Sequence, residues 1–314
     1  MSDSFSTIAS DCDGLVGRFA PSPSGRMHLG NVFTFLIAWL SAHQQGGCVV
    51  LRIEDLDPER TTQHYADLCM SDLDWLGLHW EGTPVYQSSR TEAYEEAFHR
   101  LRDQGRIYPC FCSRSDWHAA AAPHAGDHIV YPGTCRNLDP LTRTELSSRK
   151  KPSWRFAVGD ETVSFVDRFQ GEVSFSLADD CGDCVVRRAD GVFAYQLAVV
   201  VDDAFQGVNE VCRGMDLIDS AATQRSLGKA LGLPSVVYAH VPLLRNSEGK
   251  RLAKRDADLD MGILRERFKS PEKFLGHLCL MTGLRPTDAS VTLEQLLSEF
   301  DPRTLCLESI HVKQ

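Results

Sequence analysis

The sequence predicts an α/β fold built on a parallel sheet, and the first third of the chain carries the evidence. Leu15 to Ala20 is a short apolar run that predicts a strand, and Cys48 to Ile53 is a second one. Between them, the Pro- and Gly-rich turn Pro21 to Gly25 leads into an apolar helical stretch from about Gly30 to His43. Strands that alternate with helices are typical of βαβ units and a parallel sheet. Further helical patterns follow at Thr62 to Leu76 and at Arg90 to Gln104.

The residue composition and periodicity of the chain change at about Tyr108. From Cys110 to Cys135 the sequence is rich in Cys, His, Gly and Pro and has little periodicity, which predicts a loop-rich inserted module. Strand patterns return at Val163 to Val166 and at Val173 to Phe175. We therefore expect one sheet-based domain that is interrupted by an insert.

The second half of this domain is predicted around the apolar run Val192 to Val201 (VFAYQLAVVV). Its hydrophobicity predicts a buried strand, closed by Asp202 and Asp203. The remaining expectations are an N-cap at Asp219 or Ser220 for a helix that ends at Leu231, and a mostly helical tail after Asp256.

Composition excludes several classes of protein. The chain has 314 residues, 43% of them hydrophobic, which is enough for a sizeable core. The longest strongly apolar run, Val32 to Leu40, is too short to cross a bilayer. Met1 to Asp13 is expected to be a disordered terminus without the basic region of a signal peptide, so we expect a soluble cytoplasmic protein. The eleven cysteines are odd in number and irregularly spaced, and we expect thiols and metal ligands rather than disulfides.

The formal net charge of −10 argues against a continuous basic surface that coats nucleic acid. It does not exclude an RNA substrate, because local basic groups can line one face. The candidates are Arg143, Arg149, Lys150, Lys151, Arg187 and Arg188.

The first chemical motif is Arg18 to Asn31 (RFAPSPSGRMHLGN), a strand, a turn and a helix start. Backbone N–H groups at a helix N-terminus bind phosphates well. His28 can donate to a phosphate oxygen, and the missing side chain of Gly30 lets a nucleotide base approach closely.

Two further motifs are acidic and basic. Arg52 to Arg60 (RIEDLDPER) follows a strand at the sheet edge where α/β proteins bind ligands, and Glu54 there is suited to an ammonium group. Gly249 to Asp256 (GKRLAKRD) is a basic loop whose Lys254 can neutralise charge on a transferring phosphate. Taken alone, the acidic motif is typical of a helix cap, and the basic motif is typical of a solvated charge run.

In this order the three motifs resemble the His-Ile-Gly-His and Lys-Met-Ser-Lys-Ser signatures of the class I aminoacyl-tRNA synthetases. The forms RFAPSPSG and RIEDLD are similar to the glutamyl branch, from about Val16 to Asp256. Two departures are Asn31 at the second signature histidine and Ala253, which supplies no hydroxyl. The length is similar to a truncated group, the glutamyl-queuosine tRNA(Asp) synthetases, which attach glutamate to a modified anticodon-loop base.

The resemblance implies a Rossmann-type parallel sheet with an inserted zinc-binding module and a short helical C-terminal tail. It implies glutamate contacts at Arg18, Phe19, Ala20, Pro21, Ser22, Glu54, Tyr195 and Arg213. It implies ATP contacts at Pro21, His28, Gly30, Asn31 and Lys254, with His28 and Lys254 catalytic. The implied domains are a disordered N-terminus (1–13), two Rossmann halves (14–108 and 191–256), the insert (109–190) and a tail without an anticodon-binding domain (257–314).

The insert is similar to the family's structural zinc site, with Cys110, Cys112 and Cys135 as thiolate ligands. Tyr131 is the implied fourth ligand; its rivals from the same insert are His118, His124 and His128. A metal-free module with three free cysteines is the alternative. Cys181 and Cys184 share a CxxC spacing, but one pair cannot complete a four-ligand site, and we expect buried or inactive thiols.

The function implied is activation of L-glutamate with ATP and Mg²⁺ in the absence of tRNA, then transfer to queuosine in tRNA(Asp). One Zn²⁺ per chain and a monomer without membrane contact are expected. One alternative is a conventional glutamyl-tRNA synthetase that charges the terminal adenosine. A second is a non-enzymatic RNA- or protein-binding paralogue.

Overall fold

The computed structural model describes Cys12 and residues 14–113, 130–245, 260–305 and 309–311. The strands are β1 (Val16–Phe19), β2 (Cys48–Ile53), β3 (Glu81–Tyr86), β4 (Ile107–Cys110), β5 (Ser153–Phe156), β6 (Thr162–Asp167), β7 (Gly171–Ser176), β8 (Cys184–Arg187), β9 (Glu210–Gly214), β10 (Val237–Val241), β11 (Leu243–Arg245) and β12 (Ser309–His311). The α-helices are α1 (Leu29–Gln44), α2 (Gln63–Trp75), α3 (Thr91–Asp103), α4 (Pro140–Arg149), α5 (Tyr195–Phe205), α6 (Ile218–Leu231), α7 (Met261–Phe268), α8 (Pro271–Thr282) and α9 (Leu293–Glu299).

Two parallel sheets lie side by side at the centre of the fold. Strands β1, β2 and β3 pair in that order, and β9 pairs with β10. The sheets meet where the Asn209 N–H donates to the Val16 carbonyl at 3.0 Å. The carboxyl ends of β1, β2 and β9 therefore face one edge, where α/β folds bind ligands. The predicted α/β class with a parallel sheet is confirmed.

Helix α1 is held rigidly because apolar residues cover most of its surface. Val32, Leu36 and Ile37 have no exposed area, and they share a core with Phe19 of β1 and Leu51 of β2. A helix that is apolar nearly all round is buried in this way. Its N-terminus is thereby fixed directly beyond the carboxyl end of β1.

The inserted part contains antiparallel strands. β5 pairs with both β4 and β8, and β6 and β7 form a hairpin. A second core with Phe156 and Leu177, both fully buried, packs this part against α3 and α5. The predicted strands in the 163–166 and 173–175 regions are confirmed.

The run Val192 to Val201 is not a strand, which corrects the prediction. Its second half is the start of helix α5, where Leu197, Ala198, Val201 and Asp202 are buried at helical spacing. Periodicity alone cannot separate a buried strand from a helix that is apolar on nearly every side. The two aspartates therefore lie inside a helix, not after a strand.

Asp202 ties α5 to the start of α3. It is fully buried and accepts hydrogen bonds from Gln87 Nε2 at 2.9 Å, Arg90 Nε at 2.6 Å and the Tyr94 hydroxyl at 2.6 Å. The Arg90 guanidinium also lies 3.5 Å from the centre of the Phe205 ring. The buried carboxylate is stable here because three donors, one of them a guanidinium, satisfy it.

Helix α6 begins earlier than predicted. It starts at Ile218, and among the described side chains none caps its N-terminus. Asp219 instead accepts the N–H of Ser220 at 2.7 Å inside the first turn. The 3₁₀ turn Met215–Leu217 leads directly into the helix. This turn stands where a capping side chain was predicted.

One cysteine expectation is also wrong, because Cys12 and Cys48 form a disulfide with Cα atoms 6.1 Å apart. The cysteines found as free thiols are Cys69, Cys110, Cys112, Cys135, Cys181, Cys184, Cys212 and Cys279. Among the described residues, no helix is both long enough and apolar enough to span a bilayer.

The tail is mostly helical, as predicted, and it returns to the first motif. The Met261 N–H at the start of α7 donates to the Met27 carbonyl at 2.9 Å. Asp72 of α2, fully buried, accepts from Arg26 Nη2 at 2.9 Å and from Arg265 Nη1 at 2.8 Å. The Pro/Gly turn is therefore clamped between α2 and α7. Strand β12 pairs with β11 at the end of the tail.

Asp202→Ala should lower the free energy of unfolding by about 3–5 kcal/mol, because it leaves Arg90 buried without its charge partner. Chemical denaturation measures this loss. Glu145→Ala is the matched control, since Glu145 meets only the exposed Arg149 in one turn of α4, and its effect should stay below about 1 kcal/mol. Equal losses in the two variants would show that the α3–α5 junction does not depend on Asp202.

Candidate active site

A cleft of about 450 Å³ lies at the carboxyl edge of the parallel sheets. The turn after β1 forms one wall, and Glu54 after β2, the end of β9 and the start of α5 form the others. The predicted site residues that line it are Arg18, Ala20, Pro21, Ser22, His28, Gly30, Asn31, Glu54, Tyr195 and Arg213.

Two predicted residues are not in this set. Phe19 points into the core, with no exposed area, and packs 5.2 Å from the Phe35 ring, because successive strand residues alternate between faces. Its side chain therefore cannot contact a ligand in the cleft. Lys254 and the basic loop 249–256 lie outside the described residues.

His28 caps helix α1. The Gly30 N–H donates to His28 Nδ1 at 3.2 Å, and the His28 N–H donates to Asn31 Oδ1 at 3.1 Å, so the two side chains form a capping box. Because Nδ1 accepts, the neutral ring carries its proton on Nε2. The ring lines the cleft beside the positive end of the helix, with its N–H on Nε2.

Gly30 is required by the histidine ring as much as by any ligand. A Cβ atom at Gly30 would lie 3.2 Å from both Cε1 and Nδ1 of His28. Asn31, which departs from the signature histidine, is explained by its role in the capping box. The conformation of the helix start therefore depends on His28, Gly30 and Asn31 together.

Arg18 and Glu54 form the charged floor of the cleft. Arg18 Nη1 donates to the Cys212 carbonyl at 2.7 Å, and its Nε lies 3.6 Å from Asp203. Glu54 has 10% of its side chain exposed and lies 3.4 Å from Arg52 Nη2. Burial raises the pKa of Glu54, although Arg52 and Arg18 oppose the shift. A cationic group of a ligand in the cleft would offset part of this desolvation cost.

Arg213 lies at the end of β9 and is 4% exposed. Its Nη1 donates to Gln224 Oε1 at 2.7 Å and lies 3.4 Å from the Tyr195 hydroxyl, and its Nη2 donates to the Leu217 carbonyl at 2.9 Å. Tyr195, predicted on a strand, is the first residue of α5. These contacts fix the guanidinium at the cleft wall, where its planar fork suits a carboxylate.

Sequence reasoning missed Gln224, His240 and Asp216. Gln224 and His240 are buried partners of Arg213 from α6 and β10, and Asp216 lines the cleft next to Gly214. They are isolated polar residues in elements without a motif. The sequence signal that could have identified them is a single polar residue within a mostly apolar stretch.

A second cavity of about 1,060 Å³ adjoins the cleft and shares Ser22, Ser24, Glu54 and Tyr195 with it. Basic groups line it on the side of the insert: Lys150, Lys151, Arg155 and Arg188. Arg188 pairs with Asp57 at 2.8 Å and with Asp190 at 2.6 Å. Of the predicted basic groups, Arg187 pairs with Glu95 at 2.8 Å instead. The cavity has basic groups on the side of the insert and acidic groups such as Glu54, Asp57 and Glu59 on the other side, and it adjoins the floor of the cleft.

The sulfur atoms of Cys110, Cys112 and Cys135 lie within 4.8 Å of one another. The Tyr131 hydroxyl lies 3.3 Å from Cys110 Sγ and 3.6 Å from Cys112 Sγ. Burial raises the pKa of Cys110, but hydrogen bonds from Tyr131 and Arg155 outweigh it and leave the pKa below its usual value. Three thiols and a phenol that converge on one point fit a four-coordinate metal ion. The rival ligands His118, His124 and His128 lie outside the described residues.

The CxxC pair is not part of this cluster. Burial raises the pKa of Cys181, and it raises the pKa of Cys184 to about 12. Both are free, partly buried thiols, as the sequence predicts.

Residues 15–305 match the family described as tRNA synthetases class I (E and Q), catalytic domain. The chain belongs to this family. It is 46% identical over 310 residues to the glutamyl-Q tRNA(Asp) synthetase of Symbiobacterium thermophilum, covering 95% of this chain and 96% of that one. It is 44% identical to the enzyme of the same name from Nocardia farcinica, covering 93% of this chain and 91% of that one. The synthetase is thus a ligase-type enzyme, as predicted.

A solved structure agrees with this assignment. The synthetase superposes on a glutamate tRNA ligase from Elizabethkingia meningosepticum, crystallised with its amino acid, with a TM-score of 0.79 and 25% identity. The match covers 96% of this chain but 67% of that ligase.

Proposed function

We propose that this synthetase activates glutamate with ATP and transfers it to queuosine in tRNA(Asp). The observation that carries the proposal is the cleft itself, in which a buried arginine, a buried glutamate and a helix N-terminus converge. Relatives of nearly equal length, named glutamyl-Q tRNA(Asp) synthetase, support the choice of acceptor.

Glutamate is held at three points in this proposal. Arg213 pairs with the side-chain carboxylate, and the Tyr195 hydroxyl beside it supports the same end. Glu54 accepts from the ammonium group, since its carboxylate is buried next to the cleft. Arg18 and the turn residues Ala20, Pro21 and Ser22 enclose the backbone end of the amino acid. A neutral glutamine amide cannot match the charge of Arg213.

ATP lies along the start of α1. The His28 Nε2–H donates to a phosphate oxygen, the helix N-terminus supplies positive potential, and the open face at Gly30 and Asn31 accepts the base. We assign Lys254 to the transferring phosphates from its motif alone. Mg²⁺ accompanies the phosphates and neutralises part of their charge.

In the first step a glutamate carboxylate oxygen attacks the α-phosphorus, and the bond to pyrophosphate breaks. The nucleophile belongs to the substrate, so the protein acts by positioning and charge stabilisation. In the second step an acceptor hydroxyl attacks the activated carbonyl and AMP leaves. The second cavity, which meets the cleft at Glu54 and Tyr195, is where the acceptor nucleotide enters.

The cysteine cluster holds one structural Zn²⁺, with Cys110, Cys112, Cys135 and Tyr131 as ligands. Its support is the convergence of four donors in a part of the chain with few core residues of its own. We infer a monomer in the cytoplasm, where ATP and tRNA are found.

Glutamate should support exchange of pyrophosphate into ATP with no RNA present, and glutamine should support at least ~tenfold less, because an amide carries no charge for Arg213. Radiolabelled pyrophosphate exchange measures both. With labelled glutamate, the label should then appear on tRNA(Asp) that contains queuosine and not on the same tRNA without it.

Other outcomes of these assays would favour one of the two alternative functions. Label on the terminal adenosine, or exchange that needs tRNA, would favour a conventional glutamyl-tRNA synthetase. No exchange with any amino acid would favour a non-enzymatic paralogue.

Gly30→Ala should raise the KM for ATP ~tenfold or more in the exchange assay, because the new Cβ displaces the His28 ring and its hydrogen bond to phosphate. The KM for glutamate should change little. Gly228→Ala on α6 is the control, since its Cβ would make an ordinary 3.5 Å contact with Val200. An unchanged KM for ATP in Gly30→Ala would remove His28 from the ATP site.

The unmodified protein should contain about one zinc per chain, and Cys135→Ser should release it. Tyr131→Phe should weaken zinc binding, whereas Cys184→Ser, a thiol outside the cluster, should not. Metal analysis of purified protein measures all four. Zinc-free Cys135→Ser should keep pyrophosphate exchange, because Cys110, Cys112 and Cys135 are not among the residues that line the cleft.

Two results would contradict this. Absence of zinc from the unmodified protein would exclude the site. Full zinc in Tyr131→Phe, with loss on changing His118, His124 or His128, would replace Tyr131 by a histidine.

A further inference from the structure

Arg213 is held on the side away from the cleft by His240. Arg213 Nε donates to His240 Nε2 at 3.0 Å, and His240 has no exposed area. Because arginine cannot accept a hydrogen bond, His240 Nε2 must be the acceptor. The ring proton is therefore on Nδ1.

The proton on Nδ1 goes to Asp167. His240 Nδ1 lies 2.6 Å from Asp167 Oδ2, and Asp167 is 1% exposed. Asp167 Oδ1 accepts the backbone N–H groups of Phe169 at 3.0 Å, Gln170 at 3.1 Å and His240 at 3.1 Å. Asp167 Oδ1 thus carries most of the backbone contacts, whereas Oδ2 faces the imidazole and also lies 3.2 Å from the His240 backbone nitrogen.

Aromatic and charged groups surround this chain of contacts. The Tyr238 ring stacks on His240 with centroids 5.8 Å apart, and the Arg213 guanidinium lies 4.9 Å from the centre of the Tyr238 ring. Glu210 is engaged by Arg168 at 3.0 Å and by Ser41 at 2.6 Å. Asp167 is therefore the carboxylate that sets the state of His240.

We propose that Asp167 and His240 are positioning residues for amino acid recognition, which hold Arg213 through one fixed tautomer of His240. This rests on the proposed function, in which Arg213 binds the glutamate side chain. With Nε committed to His240 and the Nη atoms to Gln224 and Leu217, the guanidinium is fixed at the cleft wall, so the substrate does not have to order it. Preorganisation of this kind raises affinity and selectivity without new substrate contacts.

Asp167→Asn tests the tautomer without removing an atom. The asparagine oxygen keeps the three backbone N–H donors, so its NH₂ group faces Nδ1. The ring must then carry its proton on Nε2, where it opposes the Nε–H of Arg213. We expect the KM for glutamate in pyrophosphate exchange to rise ~tenfold or more, with kcat and the KM for ATP within ~twofold. The preference for glutamate over glutamine should fall in parallel.

A second pair of variants keeps the test valid if Asp167→Asn folds poorly. His240→Gln can donate to Asp167 and accept from Arg213 with one amide, whereas His240→Phe keeps ring volume and stacking but has no acceptor. The KM for glutamate should rise less in His240→Gln than in His240→Phe. Cys279→Ala on α8, away from both cavities, is the buried control and should stay within ~twofold of the unmodified enzyme. Nitrogen NMR of the unmodified His240 ring should show the proton on Nδ1.

Arg213→Ala distinguishes the proposed amino acid site from the positioning role of Asp167 and His240. If it leaves the KM for glutamate unchanged, the proposed amino acid site is wrong. If it raises that KM while Asp167→Asn and His240→Phe do not, the positioning role is overturned. Equal losses in ATP and glutamate kinetics for the Asp167 and His240 variants would mean a purely structural role, which also overturns it.

Discussion

The site depends on one buried cation, Arg52. It has no exposed area in the middle of the parallel sheet, and its Nη1 lies 2.7 Å from Asp203 and 3.1 Å from Gln206 Oε1 on helix α5. Its Nη2 faces Glu54 at 3.4 Å. Burying a guanidinium costs several kcal/mol unless its partners are fixed. The position of α5 and the orientation of Glu54 are therefore set by the same charge.

The same principle governs the two arginines of the cleft. Arg18 and Arg213 are each 4% exposed. Arg18 donates a hydrogen bond to the Cys212 carbonyl, and Arg213 donates one to the Leu217 carbonyl. Contacts of this kind hold the positive groups in place before a substrate arrives. A substrate with two carboxylates and one ammonium group then supplies the charges that the protein walls lack. Preorganised charge of this kind acts most strongly where water is excluded.

Sequence could locate the parts of the site that a backbone pattern marks. The turn before α1, with His28 and Gly30, and the acid after β2 were found because strand ends and helix starts have local signals. Helix α5 was misread, since an apolar valine-rich run has no periodicity to reveal a helix packed on nearly every side. The partners of Arg213 come from three distant elements, and only the fold brings Asp167, Gln224 and His240 together.

The two cavities share a wall, and this links the two proposed steps. Glu54 and Tyr195 belong to both, so the activated carbonyl and the acceptor hydroxyl can meet without a movement of the sheet. Cys110 and Cys112 line only the second cavity, and Arg155 joins them by donating to Cys110 Sγ at 3.4 Å and stacking 3.8 Å from the Tyr131 ring. The proposed metal ion would hold these residues at the acceptor side of the wall. In the proposed function, the insert therefore contributes to selection of the RNA nucleotide, whereas the ends of the parallel strands select the amino acid.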